Sequence, residues 1–213
     1  MNTQNMKRKL FFFIFFALLL NGAPALTGSH SASAQNFALK TNLLYDATAT
    51  VNAGMEFKLA PKWTMDISGN FNSWMTSSDS DPATIDPKWK HWMVQPEFRY
   101  YFCNPFSRHF FGIHAHTGNF NFGGLNIPVS FLGTDFRQLK EMRYQGWFAG
   151  GGISYGYVIA LGVHWNLEFV LGVGYSYVDY DTFLCPDCGK HVGSGTHHYV
   201  GPTKAAISLA YLF

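Results

Sequence analysis

From Phe37 to Phe213 the chain repeats short segments in which large apolar side chains occupy every second position. A period of two is the pattern of a β-strand with one apolar face, whereas an amphipathic helix repeats every 3.6 residues. Turn residues separate the segments. The sequence therefore predicts an all-β fold of eight antiparallel strands, at 37–48, 51–60, 63–75, 90–102, 109–122, 146–160, 164–180 and 201–213.

The two faces of each predicted strand differ in size as well as in polarity. In the strand at 164–180, one face carries Trp165, Phe169 and Tyr177, and the other carries residues such as Asn166 and Glu168. A soluble eight-stranded barrel has the opposite arrangement, with bulky apolar groups inside and charges in water. In this chain, an interior just wide enough for side chains has room for small or paired ionic groups but not for rows of Trp and Tyr. We therefore expect the aromatic face to contact lipid.

Composition and loop lengths agree with a membrane barrel. Only 13% of the residues are charged and 18% are aromatic, whereas soluble domains carry about 25% charged residues. The predicted turns at 60–62, 103–108 and 161–163 are short, and the alternate connections at 76–89, 123–145 and 181–200 are long. The first connection, near Thr50, is an exception, because it is short on the long-loop side. Short turns at one end and long loops at the other are typical of a transmembrane barrel in an outer membrane.

Residues 1–34 have the three parts of a secretory signal peptide: a basic start at 7–9, an apolar run of eleven residues from Leu10 to Leu20, and small residues at 32–34. Cleavage before Gln35 would leave one barrel domain, 35–213, with both termini in the periplasm. It would also change the formal charge from +2 to 2 − 3 = −1. A nearly neutral chain argues against nucleic-acid binding.

Charged residues on the small-residue face are predicted to form an ionic network inside the barrel. A charge in a low-dielectric interior needs a partner of opposite sign and hydrogen bonds. We therefore expect a packed plug and not an aqueous pore, since pores belong to barrels of 16 or more strands. The predicted members are Lys40, Asp46, Glu56, Lys58, Asp66, Glu97, Arg99, Glu168 and Lys204.

A second group of reactive residues lies in the last long connection, at 181–200. It contains Cys185, Cys188, His191, His197 and His198. Three alternatives stay open: a local disulfide between the two cysteines, a zinc site of two Cys and two His, or two thiols without a special role. Cysteine spacing in an exported chain favours the disulfide.

His114 and His116 share one face of a predicted strand, and we expect ordinary hydrogen bonding from them. The sequence names no catalytic residue and no cofactor.

Several sequence strings together resemble a family of uncharacterised outer-membrane barrels typical of Bacteroidota, which is defined as a domain of unknown function and is often encoded near fimbrial subunits. The resemblance covers 37–213 and implies the placement of the chain without implying a mechanism. The strings are KTNLLYD at 40–46, WKHW at 89–92, QPEFRYYF at 95–102, GIHAH at 112–116, RYQGW at 143–147, WNLE at 165–168 and GPTKA at 201–205.

The predicted function is that of a structural or interaction protein and not of an enzyme. The barrel would sit in outer-membrane lipid and present its outer loops, 123–145 and 181–200, to a surface or fimbrial partner. The last strand ends on Phe213 and resembles the segment by which the barrel-assembly machinery recognises its clients. The first alternative is an enzyme that acts on lipid of the outer leaflet, and a more remote one is a narrow channel.

Overall fold

The computed structural model describes residues 35–75, 88–123, 130–131, 134–135, 142–184 and 190–213. All of them belong to one compact unit, Gln35–Phe213. The predicted signal peptide, 1–34, lies outside the described residues. No helix among the described residues is long and apolar enough to cross a membrane.

Eight long or medium strands form one antiparallel sheet that closes into a barrel, in the order β1-β10-β9-β8-β5-β4-β3-β2. The prediction of an all-β fold with eight antiparallel strands is confirmed. The elements are β1 (Phe37–Asn42), α1 (Leu43–Ala47), β2 (Val51–Ala60), β3 (Trp63–Met75), β4 (Lys88–Tyr101), β5 (Arg108–Gly123), a small hairpin of β6 (Ser130–Phe131) and β7 (Thr134–Asp135), β8 (Met142–Ala160), β9 (Trp165–Leu184) and β10 (His191–Leu212).

The two ends of the barrel differ. The connections at 61–62, 102–107 and 161–164 are short and lie at the end that also holds Phe37 and Phe213, which we call the turn end. The opposite end is called the loop end. Phe213 donates its backbone N–H to the carbonyl of Phe37 over 2.9 Å, so the two ends of the described chain meet there.

The first strand is shorter than predicted. It ends at Asn42, whose side chain accepts a hydrogen bond from the N–H of Leu44 and caps the five-residue helix α1. A positive φ of 55° at Ala49 then turns the chain into β2. The prediction of strand up to residue 48 was wrong because an Asn cap overrides the apolar alternation that follows it.

The last strand is longer than predicted and begins at His191, ten residues before the expected start. A β-bulge between Pro202 and Lys204 shifts the register against β9. Because a bulge moves alternate side chains to the other face, the period of two breaks at that point and conceals the first half of the strand. β9 reaches Leu184, so the expected loop at 181–200 is reduced to 185–190.

The barrel wall has a long side and a short corner. β9 pairs with β10 from Trp165↔Tyr211 up to Phe183↔His191, along nearly the whole length of both strands. β1 pairs with β10 only from Ala38↔Leu212 to Asn42↔Ser208, and with β2 only from Phe37↔Phe57 to Lys40↔Gly54. The corner β1–α1–β2 therefore closes the ring with few backbone hydrogen bonds.

Large apolar side chains cover the outside of the barrel. Ile113, Ile153 and Val173 are Cα partners on three neighbouring strands and are 69%, 61% and 51% exposed. Aromatic pairs lie near both ends of this surface, with Trp63 stacked on Phe98 towards the turn end and Trp147 against Tyr177 towards the loop end. The predicted assignment of the aromatic face to the outside agrees with this arrangement.

The turn end of the interior is apolar and tightly filled. Tyr101 and Phe110 are fully buried there, 5.0 Å apart between ring centroids, and pack with Val158 and Val170. The prediction that large aromatic groups would stay outside was wrong for these two. Space for them comes from Gly156, where a Cβ atom would lie 2.2 Å from the Phe110 ring.

Candidate functional site

Above the apolar layer, seven charged side chains from six strands meet in the middle of the lumen; we call them the ionic cluster. Register explains the meeting, since Glu56 is the Cα partner of Asp66, and Asp66 is the partner of Glu97. Each of these side chains is 6% exposed or less. The members are Lys40, Glu56, Asp66, Glu97, Arg99, Glu168 and Lys204.

Arg99 is the centre of the ionic cluster. Its Nε lies 2.6 Å from Glu97 Oε2, and its Nη1 lies 2.8 Å from Glu56 Oε2 and 2.9 Å from Glu168 Oε2. Its guanidinium also lies 4.5 Å from the centroid of the Phe110 ring. One planar cation thus joins β2, β4 and β9, and its underside is in contact with the apolar layer.

Two lysines complete the positive charge of the cluster. Lys40 Nζ contacts Glu56 and lies 2.7 Å from Glu168 Oε2, and Lys204 Nζ lies 2.9 Å from Glu97 Oε2. Neutral donors saturate the carboxylates further. Thr64 and Tyr101 donate hydroxyl hydrogen bonds to Glu56 over 2.5 and 2.9 Å, and Ser154 donates one to Glu97.

Asp66 is held less tightly than the other three carboxylates. Its oxygens lie 3.2 Å from Lys40 Nζ, 3.6 Å from Arg99 Nη2 and 3.9 Å from Lys204 Nζ. Its Oδ2 is buried and has no hydrogen-bond partner within the described part of the chain. Asp66 is therefore the carboxylate with the longest ion pairs in the cluster.

Two predicted members lie outside the ionic cluster. Asp46 belongs to the β1–α1–β2 corner, where it accepts hydrogen bonds from Thr41 Oγ1 over 2.8 Å and from Asn52 Nδ2 over 2.7 Å. Lys58 is half-buried in β2 towards the turn end and forms no ion pair with any described residue. Both were predicted from strand parity. Parity fixes the face of Lys58 but not its depth, and it does not apply to Asp46, which lies in the helix α1.

A polar cavity of about 70 Å³ lies on the loop-end side of the ionic cluster. Asp66, Ser68 and Asn70 follow one another along the inner face of β3 and form one wall of it. Asn70 is 7% exposed, and its Oδ1 accepts no hydrogen bond from the described residues. Tyr45 of α1 and Thr203 of the β10 bulge also line the cavity.

A family model described as "Protein of unknown function (DUF3575)" matches residues 15–213. The chain belongs to the DUF3575 family. Neither the curated proteins nor the solved structures contain a match to it. The description of the family names no ligand, so it assigns no chemistry to the lumen of this DUF3575 chain.

The two lumen histidines lie beside the cluster with their rings 5.9 Å apart. His114 Nε2 lies 2.9 Å from Thr203 Oγ1, and His116 Nε2 lies 3.1 Å from Ser176 Oγ. Both rings are buried inside the barrel, so the Ser176–His116 pair does not face the outer surface. The predicted role as hydrogen-bonding groups matches these contacts.

The structure separates the predicted metal ligands near the C-terminus. His191 and His197 lie six residues apart along β10, which corresponds to about 20 Å between their Cα atoms. A zinc ion needs both ring nitrogens within about 2.1 Å, so these two residues cannot share one ion. His191 instead lies 3.3 Å from Asp181 Oδ1, and His198 bonds to Tyr175 OH over 2.6 Å.

Cys185 and Cys188 lie outside the described residues, so the disulfide stays a prediction. Cys103 is a free, exposed cysteine in the β4–β5 turn.

Sequence reasoning missed Tyr45, Asn70 and Thr203 as lining residues. Only two of them had a local signal: Asn42 before a Leu-Leu-Tyr run marks a helix cap that turns Tyr45 inward, and Pro202 inside a strand marks a bulge. Asn70 looks like any polar residue on a lumen face. Only the cavity next to its side chain identifies it as a lining residue.

Proposed function

We propose that this protein is an integral outer-membrane barrel that works as an interaction protein and holds its loop end ready for a partner on the cell surface. The observation that carries the proposal is the inverted distribution of side chains. Seven charged groups are buried inside the barrel, while Ile113, Ile153 and Leu171 are more than half exposed outside. Water does not favour this arrangement, whereas hydrocarbon does.

The size of the apolar surface supports the membrane location. Soluble monomers rarely expose a continuous apolar patch larger than a few hundred Å². Here the exposed apolar side chains run across neighbouring strands from Ile113 on β5 to Val173 on β9. The aromatic pairs at the two ends of this surface fit the two interfaces of a bilayer.

The filled lumen supports an interaction role over a channel. Tyr101, Phe110 and Val158 fill the turn end, and the ionic cluster fills the layer above them. A solute entering from the loop end would meet paired charges and then packed rings. We therefore place the activity on the loop end and not in transport.

β8, β9 and β10 are among the strands that extend beyond the aromatic pair Trp147–Tyr177 at the loop end. Residues 142–146 of β8, 178–184 of β9 and 191–196 of β10 form a continuous sheet there. Ring contacts between Tyr144 and Tyr180 and a cation–π contact of Arg143 with Phe183, at 4.3 Å, stiffen it. Such a rigid platform suits a protein partner, for which we propose a surface or fimbrial protein of the same envelope.

The membrane location is tested by epitope insertion in intact cells. An epitope inserted within 185–189, at the loop end, should be labelled by antibody on whole cells. The same epitope inserted next to Gly162, in a turn-end connection, should be labelled only after the outer membrane is opened. Labelling at both positions, or recovery of the protein in the soluble periplasmic fraction, would overturn the proposal.

The interaction role is tested by photo-crosslinking from the extended sheet. A photoreactive amino acid at Phe183 should give a discrete protein adduct in cells, and the same group at Tyr155, on the outer surface towards the turn end, should not. Mass spectrometry of the adduct identifies the partner. A folded barrel that gives no adduct at Phe183, together with altered lipid A in a deletion strain, would favour the lipid-modifying alternative.

A further inference from the structure

One edge of β10 has no partner strand along most of its length. β1 pairs with β10 only as far as Asn42↔Ser208, whereas β9 pairs with the other edge of β10 as far as His191. The hairpin β6–β7 forms a sheet of its own. No described strand therefore covers the β1 side of β10 between residues 191 and 207.

The register identifies the residues whose backbone faces the β1 side. Phe213 donates its N–H to Phe37, and Ile207 donates its N–H to the Asn42 side chain, so odd-numbered residues face β1 after the bulge. The bulge adds one residue to β10 and reverses this parity. The residues that face the β1 side before the bulge are Pro202, Val200, His198, Thr196 and Ser194.

Near the bulge, the chain closes the β1 side of β10 with its own groups. The Asn42 side chain bonds to Ala205 O and to Ile207 N. Pro202 has no N–H, and its carbonyl accepts a hydrogen bond from the Tyr199 hydroxyl over 3.2 Å. A proline and a bulge are devices by which natural sheets prevent pairing at an edge.

The next part of the same side lacks such protection, and we call residues 193–200 the open edge. Within the described chain, no hydrogen bond reaches the N–H and C=O groups that Ser194, Thr196 and Val200 direct to this side. The open edge contains no proline and no charged residue, and its register with β9 is unbroken. Val200 is 72% exposed. A long, flat edge of this kind is a template for another strand.

The open edge lies at the loop end of the proposed membrane span. Thr196, Asp179 and Trp147 are Cα partners on neighbouring strands, and Trp147 belongs to the aromatic pair that we assign to the outer interface. The closed part near the bulge lies at the depth of the hydrocarbon, where backbone groups have to be paired. The open edge is at the interface and beyond it, so another protein can reach it.

We infer that the open edge binds an extended segment of a partner protein, which adds one strand to the barrel wall. The inference rests on the proposed interaction role and gives it a mode of binding. Backbone groups of Ser194, Thr196 and His198 hold the segment, and its alternate side chains supply specificity. An apolar residue of the segment covers Val200 on the outer face. The segment contains no proline at the positions that bond to the open edge.

A second copy of this chain does not fit the open edge. Copies in one membrane share the same orientation, and barrel strands are tilted by about 35–45°. Around a two-fold axis along the membrane normal, two facing β10 strands would cross at about 70–90° and could not form a ladder. The occupant is therefore a segment of a different protein.

The inference is tested in cells with a photoreactive amino acid at Ser194, Thr196 or His198, in three separate variants. Strand addition predicts adducts within one segment of one partner. The attachment site should move by two residues of the partner with each step of two residues along β10. The same amino acid at Trp147, at the same level but about 10 Å away across two strands, should not reach this segment.

Thr196→Pro blocks the open edge. It removes an N–H that faces the β1 side, so the ladder with β9 keeps its hydrogen bonds. The adduct yields from Phe183 and from Ser194 should each fall by about tenfold. Thr196→Val is the matched control, because it keeps both the N–H and a branched side chain, and it should retain the wild-type yields.

The outcomes separate this inference from the proposed function. Attachment sites that scatter over several segments, or an unchanged yield in Thr196→Pro, would overturn strand addition while the adduct at Phe183 still supports an interaction role. Attachment to a second copy of this chain would overturn the choice of occupant. Absence of any adduct, at Phe183 and at the open edge, would contradict the proposed function itself. The stepwise pattern needs no Thr196→Pro protein, so it decides the inference even where that variant fails to fold.

Discussion

The long side of the barrel and its short corner are held together by different forces. β9 pairs with both β8 and β10 along almost its whole length, so backbone hydrogen bonds define the wall there. The corner β1–α1–β2 has only short ladders on both sides of β1. Its attachment to the rest of the barrel depends on side chains that cross the lumen or bridge the seam.

The ionic cluster supplies most of these cross-lumen contacts. Lys40 of β1 reaches Glu168 of β9, and Arg99 of β4 holds both Glu168 and Glu56 of β2. At the seam itself, Asn42 donates to Ala205 O over 3.4 Å and accepts from Ile207 N over 3.2 Å, where β1 no longer pairs with β10. Ion pairs inside the barrel therefore help to close the ring at the corner, where backbone hydrogen bonds are few.

Arg99→Met should have the largest effect on the corner relative to the long side of the barrel. The substitution leaves the four carboxylates of the cluster with two lysines, and removing one partner from a buried ionic network costs about 3–5 kcal/mol of unfolding free energy. We expect the corner to open first. Urea unfolding in lipid vesicles measures the loss, and hydrogen exchange should rise in 37–57 before it rises in 165–184.

Lys58→Met is the matched control for Arg99→Met. It also removes a cation from the inner face of the barrel, but Lys58 is half-buried in β2 and forms no ion pair with the described residues. It should change the unfolding free energy by less than about 0.5 kcal/mol. If both variants lost the same stability, the closure would not depend on the ionic cluster.

On the long side, the unfolding free energy should depend on the packing of the apolar layer and not on the ionic cluster. In Gly156→Ala, the new Cβ would lie 2.2 Å from the Phe110 ring, so the apolar layer must shift. Overpacking of this kind costs about 1–3 kcal/mol. Gly162→Ala, where nothing lies within 4 Å of the new atom, should be nearly neutral in the same urea titration.

A second substitution separates the steric cause from a general effect of alanine. Phe110→Leu in the Gly156→Ala background removes the ring that the Cβ meets, and should recover part of the lost stability. No recovery in the double variant would mean that the backbone of β8, and not the ring, limits this position.

The wall of the barrel was predictable because its signal is local. Alternation located β2 at 51–60 and β3 at 63–75 with the correct bounds, and it placed Glu56, Glu97, Arg99 and Glu168 on the inner face. Neighbouring residues decide these features. The same reasoning failed at residues 43–47 and 191–200, where an Asn cap and a β-bulge interrupt the period of two.

The depth of a lumen residue was not predictable in the same way. Lys58 shares the parity of the cluster but lies at another level of the barrel, because depth depends on how the strands are staggered around the closed ring. Asp46 leaves the alternation altogether, because it belongs to the helix α1. The cavity beside Asp66 and Asn70 depends on the same stagger. No pattern within one strand reports it.

The smallest expected effect concerns the seam. Asn42→Ala removes the side-chain bonds to Ala205, Ile207 and the N–H of Leu44, and should cost about 1–2 kcal/mol. The loss should be local, since the ionic cluster remains in place. Hydrogen exchange at Ile207 should accelerate, while exchange in 165–184 stays at the wild-type rate.

Asn42→Asp sharpens the same test, because the carboxylate keeps the acceptor for Ile207 N and Leu44 N but cannot donate to Ala205 O. Its exchange rate at Ile207 should therefore remain close to that of the wild type. If Ile207 exchanged equally fast in both variants, the bond that matters would be the donation to Ala205. If it stayed protected in both, the short ladder of β1 would be sufficient, and the seam would need no side-chain bridge.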